Sequence, residues 1–99
     1  MLDDKIDPIS LEVIRNGLSS AADEMALVIM RSAYSPVVRD TMDFSTSICD
    51  KNGEVIAQGL TLAVQLGAFP DIMKYIIEEK NTSPGDVFLA NDPYGSGGQ

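Results

Sequence analysis

The groups able to do chemistry in this sequence are carboxylates, carboxamides and one thiol, because its 99 residues include a single cysteine and no histidine. Without imidazole there is no Ser-His or Cys-His pair, and the commonest general base and metal ligand are both missing. The serines and Cys49 therefore have no activating partner. Cys49, beside Asp50 in an alternating segment, reads as a structural thiol. A lone cysteine also rules out an internal disulfide and a cysteine metal cluster, and it favours a reducing compartment.

The carboxylates carry what remains. Asp40, Asp43, Asp50, Asp71, Asp86 and Asp92 could gather around a hard cation, although none has the spacing of a calcium loop. Asp43 and Asp92 stand out because each lies beside a predicted strand end in a polar, sharply turning segment, where sites are often built. Asn91 shares the turn with Asp92. Asp92, Asn91 and Asp43 are therefore the candidate catalytic residues. Gly95-Ser96-Gly97-Gly98 offers backbone N–H groups to an anion, but it lacks the Lys-Ser/Thr pair of a P-loop and the spacing of a dinucleotide fingerprint.

The elements that must position these residues follow from periodicity and turn chemistry. Asp7-Pro8 is a helix start, since Asp caps free N–H groups and Pro fits the first helical position. Leu11, Ile14, Leu18, Ala21, Met25 and Val28 then recur at 3,4,3,4,3 spacing, predicting a long helix over residues 8–33 that buries this stripe. Around residues 26–30 the helix is apolar on every side, so that turn needs covering from more than one direction. Ser35-Pro36 ends it. Residues 44–49 alternate as a strand, Asn52-Gly53 supplies a hairpin turn, and residues 55–57 return as the partner strand. Phe69, Ile72, Met73, Ile76 and Ile77 predict a second amphipathic helix. After the turn Asn81-Thr82-Ser83-Pro84-Gly85, residues 87–90 predict a short buried strand that leads into the Gly-rich loop. The fold class is thus α+β, in one small domain.

The composition limits the partners. Residues 1–50 carry nine acids and four bases, and residues 51–99 carry six and three, for a net charge of −8. A field of that sign repels phosphate backbones and anionic lipid, so neither nucleic acid nor a membrane surface is an expected partner. No apolar run approaches the ~20 residues that span a bilayer, and the first nine residues lack the pattern of a signal peptide, which makes a cytoplasmic location the expectation.

Four segments, in this order, carry a family resemblance. They are Asp7-Pro8-Ile9-Ser10-Leu11-Glu12-Val13-Ile14-Arg15-Asn16; Met42-Asp43-Phe44-Ser45 ahead of the Asp50-Lys51-Asn52-Gly53 turn; Gln65-Leu66-Gly67-Ala68-Phe69-Pro70; and Pro84-Gly85-Asp86-Val87 leading into Asn91-Asp92-Pro93-Tyr94. Together they resemble the amino-terminal part of the hydantoinase B/oxoprolinase family, whose relatives include the large subunits of acetone and acetophenone carboxylases. The resemblance implies that residues 1–99 are the amino-terminal part of a longer subunit and are inactive alone. It further implies ATP-dependent opening of a cyclic amide such as a hydantoin or 5-oxoproline, with ketone carboxylation or a non-catalytic interaction module as alternatives. It also implies a hydantoinase A-type subunit that handles ATP, and a divalent metal, zinc or manganese, bound by a histidine-bearing segment just after Gln99. The family commonly has His where this chain has Gln65, and Gln cannot shuttle a proton at neutral pH.

Overall fold

In the computed structural model, which describes residues 6–59, 69–79, 81–92 and 94, the α+β class holds. Helix α1 (Pro8–Ser32) and the short helix α2 (Pro36–Thr41) precede strands β1 (Ser47–Cys49) and β2 (Val55–Gln58), and helix α3 (Phe69–Glu79) follows. Helix α1 starts as its sequence dictates: the Asp7 carboxylate accepts the Ile9 N–H at 3.4 Å, and Pro8 takes the first turn. It ends at Ser32, whose hydroxyl donates to the Val28 carbonyl at 2.7 Å while Ala33 turns extended.

The face that α1 buries is not the predicted stripe. Ala22 and Ala26 are buried, whereas Leu11, Ile14, Met25 and Val28 remain 41–65% exposed. The cause is close approach. The Thr46 hydroxyl donates to the Ala22 carbonyl at 3.0 Å, and a Cβ added to Gly59 would stand 2.9 Å from that same oxygen. Only small side chains allow the hairpin backbone this near to a helix, so α1 packs along its alanine edge, about a quarter turn from the stripe.

Helix α2 has no periodic signature in the sequence, because six residues are too few for one to register. Pro36 both ends the preceding helix and opens this one. Met42 closes it in the left-handed region at φ 53°, with the Asp43 N–H donating to the Val37 carbonyl at 3.2 Å.

The hairpin is antiparallel, pairing Ser47 with Gln58, Ile48 with Ala57 and Cys49 with Val55, so that Ile56 is the extra residue of a bulge. Its first predicted residues lie outside the ladder: β1 begins only at Ser47, because Phe44 N–H bonds back to the Met42 carbonyl at 2.8 Å. The turn is held by the Asp50 carboxylate, one oxygen of which accepts the Asn52 and Glu54 N–H groups at 2.9 Å each. Gly53 adopts φ +87° there, and any Cβ would stand 3.0 Å from that of Met73. That contact places α3 against the hairpin tip. On α3, Ile72, Met73 and Ile76 are half-buried, in keeping with the predicted face.

One predicted element is absent. Residues 87–90 form no strand, with Val87 93% and Leu89 101% exposed. Among the described residues the sheet has two strands, and residues 87–90 pair with neither of them. The Gly-rich loop and the Gln65 segment lie outside the described residues. Among the described residues the core is built from Ala22, Ala26 and Ala57 around the hydrogen-bonded Thr46.

Candidate functional site

Asp43 follows the left-handed Met42 at the junction between α2 and the hairpin, with its side chain exposed. A non-glycine residue at positive φ fixes the direction in which the next residue leaves, so the backbone at Met42 sets where Asp43 stands. Asp92 and Asn91 are exposed, and the Asp92 carboxylate accepts the Tyr94 N–H at 3.1 Å, an Asx-type contact two residues on.

Three further carboxylates, Asp86, Asp50 and Asp40, are engaged locally. Asp86 accepts the Ser83 N–H at 2.9 Å, closing the turn in which Gly85 takes φ +91°. Asp50 organises the hairpin tip. Asp40 hydrogen-bonds Arg39 at 3.1 Å; that bond, and then its charge, holds the guanidinium pKa above its ordinary value. No group of three or more Cys, Asp or Glu side chains that could hold a metal ion is found among the described residues. The convergence of carboxylates on a cation that the sequence allowed is not realised there.

The structure does assemble two hollows, the first of them hidden in the sequence. An open groove of about 470 Å³ lies between the hairpin tip, α3 and the segment after it, with Met73, Ile76, Ile77 and Phe88 as an apolar floor and Asp50, Lys51, Thr82, Ser83 and Asp86 as a polar rim. The two turns on its rim, Asp50–Gly53 and Ser83–Asp86, are legible as motifs, but no spacing rule says that α3 brings them together. A second depression of about 550 Å³, along α1, is lined by Ala21, Glu24, Met25, Val28 and Ile29. Chemically, the described residues offer shape, hydrogen-bond acceptors and a cleft.

Comparison with known proteins adds what geometry alone does not. The family model described as hydantoinase B/oxoprolinase matches residues 7–99. Relatives include the beta chain of a caprolactamase from Pseudomonas jessenii, 33% identical over 89% of this chain and 16% of the relative. One subunit of a putative D-/L-hydantoinase from Pseudomonas sp. is 32% identical over 91% of this chain and 16% of the relative. A 5-oxoprolinase from Dictyostelium discoideum is 28% identical over 94% of this chain and 8% of the relative. The chain thus spans a small part of the length of the relatives it matches. No solved structure matches it.

Proposed function

Because the chain belongs to the hydantoinase B/oxoprolinase family, we propose that it forms part of an enzyme subunit that opens cyclic amides in an ATP-dependent hydrolysis. The observation that carries this reading is the match over residues 7–99, together with three relatives whose names all refer to cyclic amides: caprolactam, hydantoin and 5-oxoproline. That common chemistry favours ring opening over ketone carboxylation. An amide carbonyl is a poor electrophile, and coupling to ATP is a physically sensible way to activate it.

The division of labour follows from what this chain lacks and supplies. It has neither a P-loop nor a dinucleotide fingerprint, so ATP is assigned to a hydantoinase A-type partner. Two of the relatives are themselves named as subunits, which supports a multi-subunit assembly. The metal expected from the resemblance, zinc or manganese, would be held by residues other than those described, and no step is assigned through it. Within the described region, α1 and the hairpin serve as scaffold. Asn91, Asp92 and Asp43 are then the positioning candidates, set on turns that direct the chain toward the site.

The test is co-expression of a family-length polypeptide carrying this segment with its ATP-handling partner, followed by assays of ATP-dependent ring opening and of ketone carboxylation. We expect ring opening that needs both ATP and the partner. Asp92→Asn and Asp43→Asn should each lower kcat at least tenfold with an unchanged melting temperature, whereas a purely turn-capping role would lower activity only in proportion to lost stability. Ring opening without ATP would overturn the proposal, as would carboxylation of a ketone as the sole activity.

A further inference from the structure

The chain exposes 7617 Å² of surface, where a folded protein of 10.6 kDa has roughly 5,500 Å². Its radius of gyration is 15.5 Å, against about 12.6 Å for a compact domain of 99 residues. Large aliphatic side chains contribute to the excess: Leu11, Ile14, Met25 and Val28 are 45%, 50%, 41% and 65% exposed, and they follow the 3,4 alternation that forms a seam for another helix.

We infer that this stripe on α1 is the docking surface for a helix from the remainder of the same polypeptide in a family-length protein. The proposal rests on family membership and not on the reaction. One observation selects this occupant over a second copy. Each copy carries a net charge of −8, which opposes close association. The relatives supply the material: the match to the caprolactamase beta chain takes up 16% of that protein, leaving more than four-fifths of it to provide a cover.

The experiment grafts this chain in place of the matching stretch of the caprolactamase beta chain and compares the graft with the free chain. In a Cys49→Ser background, Val28→Cys is labelled with a maleimide, and Asn16→Cys, exposed and at least about a third of a turn from every residue of the stripe, is the control. We expect both thiols to react freely in the 99-residue chain. In the graft, Val28→Cys should slow at least a hundredfold while Asn16→Cys stays unchanged. Equal labelling of Val28→Cys in both contexts would overturn the inference, as would protection in the free chain that grows with its concentration, the mark of a second copy. Should the graft be insoluble, the relative lacking its matching stretch is added to the free chain: saturable protection supports the inference, and its absence overturns it. Labelling and turnover are read separately. A graft that opens lactams with Val28→Cys exposed removes this inference alone, whereas a protected but inactive graft removes only the proposed reaction.

Discussion

The two long sides of α1 make opposite use of its residues. One side meets the hairpin through Ala22 and Ala26, and the other presents Leu11, Ile14, Met25 and Val28 to solvent. Hydrophobic size would have ranked these faces the other way round. What decides between them is how near a backbone must come: Gly59 and Thr46 approach the Ala22 carbonyl so closely that any larger helix residue would hold them off. A stripe of large side chains tells where a helix can be covered, and a pair of small ones tells where it is already touched.

The sharpest way to break this contrast is Gly59→Val. The new side chain would be driven into the Ala22 carbonyl and the Thr46 hydroxyl, and it should cost about 2–3 kcal/mol, read as a lowered urea midpoint of the helical signal. Thr46→Val keeps the shape and removes the bond to Ala22, so a loss of about 1 kcal/mol is expected in the same titration. Gly17→Ala probes the exposed half of the helix. A Cβ there meets nothing within 4 Å, so the variant should gain about 0.5–1 kcal/mol from helix propensity. Val28→Asp, on the open face, should change the stability of the 99-residue chain by no more than about 0.5 kcal/mol. A large loss from that last substitution would mean that the open face is already packed, and the contrast would fail.

What could be read from the sequence is what short-range chemistry controls. The Asp7-Pro8 start, the Asn52-Gly53 turn and the face of α3 depend on residues a few positions apart, and the structure contains them all. The packed face of α1 depends on Thr46, 24 residues from Ala22, a relation that no local pattern encodes. Residues 87–90 show the converse: an apolar run of strand length is only a strand where a neighbour offers hydrogen bonds. The same limit governs the candidate site. The turn chemistry around Asp43 and Asp92 is local and legible. What those residues face depends on a polypeptide of which this chain matches only 16% in its bacterial relatives.

The Thr46 hydroxyl on the Ala22 carbonyl has a mechanical meaning. A bond to one particular carbonyl in the middle of a helix prevents sliding, since a slip of one residue carries the acceptor about 1.5 Å along the axis and 100° around it. The Gly59 N–H on the Thr46 carbonyl, at 3.0 Å, extends the same clamp to the far strand. Helix and hairpin are thereby held in one register, pinned at Ala22, so a cover laid on the open side of α1 meets a hairpin whose position along the helix is already set.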